Sequence, residues 1–442
     1  MTQSTLSTGQ DLELTIDAMA YGGKGVARFG APPGKVYFVE NAITGDRLIA
    51  RVTEDNGRYG EAEIVELLNP SPLRGASPCA FSEACGGCQW MGVDYDHQLK
   101  WKRSFVESAL KRIGKLSDDV SVEIVASPAV VGFRNRILVR AHHDGGTHVK
   151  LGYFARKSRR LIPIDQCRVA EPEVNIALEG IRAISLAGLP EFKVRLEIQR
   201  IPRDDPQASG QVIITVYPAE GSREATETLV ARIRLLPIVR WAGLVFELSE
   251  APTVVLEDDL GLNFRTLPGQ FQQVNMALNR TLRRLVKHLS DEIAPKRILD
   301  VFCGSGNLSM PLANAERYIE GVEFNKKAIL IAKQNVEANG LKNTCYLAGD
   351  AEKHLWKCAR GGESFDLVIL DPPRQGMYQG MVPLKKLSPK HIIYVSCDPT
   401  TLARDIGYLC RKDEYKIAKV TALDFFPNTY HVETVVHLSR TS

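Results

Sequence analysis

The stretch RILDVFCGSGNLSMPLA, residues 297–313, decides the fold. It reads as an apolar strand, a glycine-rich turn and then a helix. Gly304 and Gly306 let the backbone approach a ligand closely, because no side chain stands in the way. The run lacks the third glycine of the dinucleotide fingerprint, so NAD or FAD is not the natural inference. Working outward, RILDVF, AILIAKQNVEANG, FDLVILD and HIIYVSC alternate strand with helix from about residue 266 onward. This alternation predicts a doubly wound, Rossmann-like α/β domain over residues 266–442.

Acids recur at the carboxyl ends of the expected strands: Glu323 in YIEGVEFN, Asp350 in LAGDAEK and Asp371 in FDLVILDPPRQG. Glu323 stands about 20 residues past the turn, where an acid holds a ribose hydroxyl pair. A single acid at a strand end also reads as a helix N-cap. In series, such acids share one crevice, and the pattern resembles the S-adenosylmethionine (SAM) methyltransferase fold. Methyltransferases that act on amino groups carry an aromatic residue after Asp-Pro-Pro. Here Arg374 follows, which disfavours an exocyclic amine. RNA cytosine-C5 methyltransferases usually place a cysteine after the proline at that strand end, and this chain does not.

A thiol appears instead in YVSCDPTTLARD, residues 394–405, just past the apolar run HIIYV. Cys397 is therefore delivered to a loop at a strand end, a position that suits a nucleophile. Methylating C5 of a pyrimidine needs such a thiol to add to C6 and a base to remove the C5 proton. FPNTYHVETVVHL, residues 426–438, offers the base in Glu433. His431 lies one alternation step away and is expected on the same face as support. An edge-strand acid with a capping histidine gives the same periodicity.

The 442 residues are 44% hydrophobic and 24% charged, ordinary globular composition for two to four domains. No long uncharged apolar run suggests a membrane span, and the first residues do not read as a secretory signal. A cytoplasmic chain is expected, so its nine cysteines read as metal-binding, catalytic or buried thiols. Residues 1–70 suggest five short strands in an OB-like barrel and carry a net charge of −4. NPSPLRGASP, residues 69–78, reads as a linker. Residues 71–265 mix a basic helix with strands such as RNRILVRAHH, KVRLEIQR and QVIITVYP, an α+β segment. Two basic stretches, 98–116 and 150–168, interleave Trp101, Phe105, Tyr153 and Phe154 with lysines and arginines. They fit either RNA phosphates with stacked bases or a solvated basic face.

Cys79, Cys85 and Cys88 are spaced C-x5-C-x2-C, and Cys167 follows at a distance. Four thiolates suit zinc or a [4Fe–4S] cluster, and the spacing leaves the two open. It is not the C-x3-C-x2-C of radical-SAM enzymes. Cys303, Cys345, Cys358 and Cys410 read as packing residues.

LPGQFQQVN, LDVFCGSGNLS, DPPRQG, YVSCDPTTLARD and FPNTYHVE occur in that order. Together they resemble the RNA uridine-C5 methyltransferase family. The resemblance implies Cys397 as nucleophile and Glu433 as proton acceptor, with Gln273, Phe302, Asn307, Glu323, Asp350 and Asp371 around SAM. Asp371 would also touch the uracil. It further implies a TRAM domain at the N-terminus and a [4Fe–4S] cluster on Cys79, Cys85, Cys88 and Cys167. The order of barrel, cluster cysteines and catalytic domain resembles the members that methylate 23S ribosomal RNA at the uridine conventionally numbered 1939, and implies that substrate. Transfer RNA is the alternative substrate, and a catalytically impaired RNA-binding protein the alternative class. A monomer is expected. One departure stands out: the family commonly has Asn after the cysteine, where this chain has Asp398. A free carboxylate there would raise the thiol pKa.

Overall fold

The computed structural model describes residues 8–117, 120–202, 210–256 and 260–441. Strands β1 (Asp11–Thr15), β2 (Ala18–Met19), β3 (Gly25–Phe29), β4 (Lys35–Glu40), β5 (Arg47–Asp55) and β6 (Tyr59–Asn69) form one six-stranded sheet. Its hydrogen-bonded order is β1-β5-β6-β4-β3-β2. The count exceeds the expected five: the glycine turn is confined to the residues before β3, whose Gly25 and Ala27 face the core. The outer members of that order, β1 and β2, are successive segments of one stretch of chain. Alternate residues Leu12 and Leu14, with Ile16, Tyr37, Val39 and Leu48, make the core of this domain. The expected linker is tied down. Ser71 N–H donates to Asp46 Oδ1 at 2.9 Å, and Arg74 pairs with the same buried carboxylate.

Helix α1 (Tyr95–Arg112) and strand β7 (Val122–Val125) come next. The middle sheet follows: β8 (Arg136–His143), β9 (Lys150–Phe154), β10 (Leu161–Pro163), β11 (Phe192–Arg200), β12 (Val212–Gly221) and β13 (Val239–Leu244), ordered β10-β9-β8-β11-β12-β13. Helices α2 (Pro172–Ala183) and α3 (Arg223–Ile233) cover its apolar face, burying Val174, Leu178, Ile181, Leu229 and Ile233. A two-stranded ribbon, β14 (Val254–Leu256) and β15 (Phe264–Thr266), leads to the last domain.

That domain runs α4 (Met276–Ile293), β16 (Arg297–Val301), β17 (Tyr318–Glu323), α5 (Lys326–Ala338), β18 (Thr344–Ala348), α6 (Ala351–Arg360), β19 (Leu367–Leu370), α7 (Met381–Leu387), β20 (His391–Ser396), α8 (Pro399–Leu409), β21 (Tyr415–Leu423) and β22 (Glu433–Arg440). Its eight-stranded sheet is ordered β18-β17-β16-β19-β20-β22-β21-β7. The first five strands are parallel and β22 is antiparallel. Helices on both faces bury near-continuous apolar strands such as LVIL in β19, as a parallel sheet requires.

β7, from the segment read as the middle domain, pairs in parallel with β21 at the edge of this sheet. α1 packs against it too: Val106, Ala109 and Leu110 belong to the same apolar core as Leu402 and Ile406 of α8. The expected boundary between residues 265 and 266 therefore assigns α1 and β7 to a different domain from the core they help to build. The basic helix is also not a free RNA-stacking face. Trp101 and Phe105 are buried beside Trp90, and Lys102 is buried with them. These residues form the apolar stripe of an amphipathic helix, and the charges lie around it.

Candidate active site

At the end of β16 the chain turns at Phe302, whose φ of 67° lies in the left-handed region that side-chain-bearing residues seldom adopt. The N–H groups of Phe302 and Cys303 both donate to Val322 O, at 2.9 and 3.2 Å, and hold the turn against β17. Gly304 N–H then points to Glu323 Oε2 at 3.3 Å, and Asn325 N–H donates to Glu323 Oε1 at 2.8 Å. The space where a Gly304 Cβ would project is open to 4 Å. A cavity of about 490 Å³ lies there, lined by Phe302, Glu323, Phe324, Asp350, Pro373 and Tyr378 among others.

Three of the six residues expected around SAM line this cavity: Phe302, Glu323 and Asp350. Asp350 also caps α6, accepting from Lys353 N–H at 2.9 Å. The side chain of Asn307 is engaged with Asn279 of α4, the two amides exchanging hydrogen bonds of 3.0 and 3.1 Å. Gln273 is half-buried in the loop before α4. Arg136 fastens that loop by donating to the carbonyls of Gln270 and Gln272, at 2.8 and 3.1 Å. Asp371 joins through its charge. Burial, then the fields of Asp300 and Glu323, push its pKa up to about 7.

Asp300 carries no motif that marks it in the sequence. It is 1% exposed, and neither carboxylate oxygen has a well-aligned hydrogen-bond partner. Burial pushes its pKa up to about 7, against the pull of Ser309. A signal is nonetheless present: a carboxylate inside the apolar run RILDVF needs a reason.

The reacting pair is set by sheet register. β20 and β22 are antiparallel with Ser396 opposite Thr434. Cys397 follows directly after β20 and Glu433 opens β22, so continuing this register brings the two to the same level, and the Glu433 carboxyl acts on the thiol by its charge. Cys397 is half-buried, whereas Glu433 is 3% exposed. Burial, then Glu433, push the thiol up to about 11, while Arg374 pulls it down by charge and by a hydrogen bond. Burial, then Asp371, hold the Glu433 carboxyl well above the usual carboxylate range, and Arg374 again opposes them. Arg374, notable in the sequence only for excluding an amine target, is thus the cation beside both reacting groups.

Asp398 does not act as a free charge. It caps α8, its Oδ1 accepting from Thr400 N–H at 2.9 Å and Thr401 N–H at 3.1 Å. The positive end of the helix compensates it. His431 lies in the turn before β22 rather than on the strand. Its ring packs on Tyr430 with centroids 4.2 Å apart, and its Nδ1 is buried without a hydrogen-bond partner. Burial, then Arg374, push its pKa down to about 4. It is therefore a neutral wall of the site, placed before the strand and not on one of its faces with Glu433.

Cys79, Cys85, Cys88 and Cys167 all line a second cavity, of about 80 Å³. Arg156 donates to Cys88 O at 2.7 Å, and Gly87 N–H points at Cys85 Sγ at 3.4 Å. Burial, then Cys167, push the Cys88 thiol up to about 12. Tyr153, expected among base-stacking residues, is half-buried here with its hydroxyl 3.9 Å from Cys167 Sγ. Pro427 and Thr429, from the turn that precedes Glu433, form part of the same wall. Elsewhere Cys358, read as a packing residue, shares a group with His354 and Glu320 whose ligand atoms lie within 4.8 Å.

No helix among the described residues is long and apolar enough to cross a membrane. Residues 249–441 match the family model described as tRNA (Uracil-5-)-methyltransferase, and residues 6–65 match the TRAM domain. An uncharacterized RNA methyltransferase of Thermosynechococcus vestitus is 32% identical, covering 99% of each chain. A second, from Gloeobacter violaceus, is 31% identical over 98% of each. Among solved structures, the Pyrococcus abyssi tRNA (uracil-54, C5)-methyltransferase, in complex with S-adenosyl-L-homocysteine, superposes with a TM-score of 0.68. It is 25% identical and covers 97% of this chain and 100% of its own.

Proposed function

Since the chain belongs to the SAM-dependent RNA (uracil-5)-methyltransferase family, we propose that it methylates C5 of one uridine in 23S ribosomal RNA through a covalent bond from Cys397. The observation that carries this reading is the β20–β22 register, which ends one residue short of Cys397 and Glu433, with Arg374 acting on both groups.

Cys397, as thiolate, bonds to C6 of the uracil, and the electron pair moves through C5 to the C4 carbonyl. Arg374 favours the thiolate by opposing burial. S-adenosylmethionine supplies an electrophilic methyl group when bound. The activated C5 forms a bond to that methyl as its bond to sulfur breaks. Glu433 then takes the C5 proton, the C5–C6 double bond re-forms, and the Cys397 thiolate leaves. Asp371, beside Glu433, holds the uracil edge. The target base leaves its stack to reach this crevice. Phe302, Glu323 and Asp350 hold the methyl donor, with Asp300 as counter-charge, and Gln273 and Asn307 complete that set from the α4 side.

Cys79, Cys85, Cys88 and Cys167 are assigned to a [4Fe–4S] cluster with a structural and RNA-positioning role. All four thiols line one cavity, which supports a single group that takes four thiolates.

A second reading, transfer RNA, is supported by the likeness to the Pyrococcus abyssi enzyme over nearly the whole chain. Tritium release from RNA labelled at uracil C5 separates the two. Release from a 23S fragment, dependent on SAM, is expected. Release from transfer RNA alone would reassign the substrate, and release from neither would refute uridine-C5 chemistry.

A further inference from the structure

Tyr21 belongs to the N-terminal domain, in the turn before β3, yet it reaches the catalytic loop. Its hydroxyl donates to Asp398 Oδ2 at 3.2 Å and lies 3.4 Å from Cys397 O. Asp398 thus uses both oxygens: Oδ1 caps α8, and Oδ2 accepts from the tyrosine hydroxyl. The ring of Tyr21 stands edge-on to Tyr430, centroids 5.6 Å apart, and to Phe105 of α1 at 6.0 Å. Tyr430 carries the packed ring of His431 and lies three residues before Glu433. A single side chain therefore touches the nucleophile's turn on one side and the base's turn on the other.

The neighbouring backbone is shaped for this contact. Gly23 has φ of 83°, and a Cβ there would come within 3.0 Å of the Tyr430 ring. Only glycine accepts both the conformation and the approach. The contact also gives a physical reason for Asp398. An aspartate offers an anionic acceptor to the tyrosine hydroxyl, where an asparagine amide group in the same orientation would present a donor.

We infer that Tyr21 is a positioning residue, which fixes the Cys397 turn against the base loop and holds the second oxygen of Asp398 in a hydrogen bond. The N-terminal domain is then part of the catalytic centre and not only an RNA-binding appendage. The inference rests on Cys397 being the nucleophile.

The test is the pH dependence of Cys397 alkylation by iodoacetamide, read on its own peptide by mass spectrometry in the full-length protein. Tyr21→Phe keeps the ring packing and removes only the hydroxyl. The profile should move to higher pH, and the rate near pH 8 should fall on the order of tenfold if the midpoint moves by about one pH unit. Tyr21→Phe combined with Asp398→Asn removes the exposed charge and should move the profile back. Saturating-RNA turnover should fall in Tyr21→Phe while the KM for RNA stays within about twofold. Superimposable alkylation profiles for wild type and Tyr21→Phe would overturn the inference. So would a change confined to the KM for RNA. Alkylation needs no RNA, so a wild type that never methylates uridine would sink the proposed reaction and leave this comparison readable.

Discussion

Arg374 is the residue on which the chemistry turns, because burial works against both reacting groups and this guanidinium works for both. Each rise of about one in the thiol pKa removes about tenfold of its thiolate. Arg374→Gln should therefore slow C6 addition by about a hundredfold at neutral pH and displace the rate profile to higher pH. Rapid-quench measurement of the RNA–protein adduct across pH checks this. Asp300 makes a second case. Its folded-state pKa of about 7 lies above the ordinary aspartate value of 3.8, so the folded protein binds the extra proton. Its contribution to stability is full below pH 3.8 and lost as pH rises through 7. In thermal melts without SAM, Asp300→Asn should flatten the fall between about pH 4 and 7 and weaken SAM binding. Cys397 and Glu433 are legible in the sequence because a thiol and an acid bracket apolar runs. Asp300 shows there only as a carboxylate inside an apolar run, and the roles of Asp300 and Arg374 are not legible, because they lie in fields from residues distant in sequence.

Helix α1 shows why an element misleads when read alone. Its five basic residues against two acids suggest an RNA face, yet one of those charges, Lys102, is completely buried. Lys102 pairs with Asp424 and also donates to Phe426 O at 3.0 Å, and Tyr95 completes the carboxylate at 2.8 Å. Gln98 adds a hydrogen bond from Asn428 N–H at 2.8 Å. The helix is thus the backing of the 424–431 turn that delivers Glu433. The partner of Lys102 lies 322 residues away, beyond any local pattern. Lys102→Met should cost about 3–5 kcal/mol by stranding Asp424. The double variant with Asp424→Asn should recover much of that. Urea unfolding of the two variants measures the difference. The strand–helix alternation of the last domain is readable because every parallel strand is a short apolar run, whereas β7 is four ordinary residues whose place depends on β21.

Across the whole molecule, three parts distant in sequence converge on one turn. The N-terminal domain supplies Tyr21, the cysteine cavity is walled by Pro427 and Thr429, and α1 supports Asp424. The order of these parts is legible from composition and glycine spacing. Their convergence is not, since it joins residues from opposite ends of the chain. If the cysteines hold a cluster, Cys167→Ser should lose most of the iron and acid-labile sulfide found in anaerobically purified wild type. Hydrogen exchange over residues 426–431 should rise with it. Full iron content in that variant would remove Cys167 from the ligand set. The central claim is the bond between Cys397 and C6 of uridine. It is tested most directly with a 23S fragment carrying 5-fluorouridine, since fluorine at C5 cannot leave as a proton. With SAM present, a denaturation-resistant RNA adduct should form on the Cys397 peptide and vanish in Cys397→Ala. An adduct that persists in Cys397→Ala, or none formed while ordinary uridine RNA is still methylated, would contradict it.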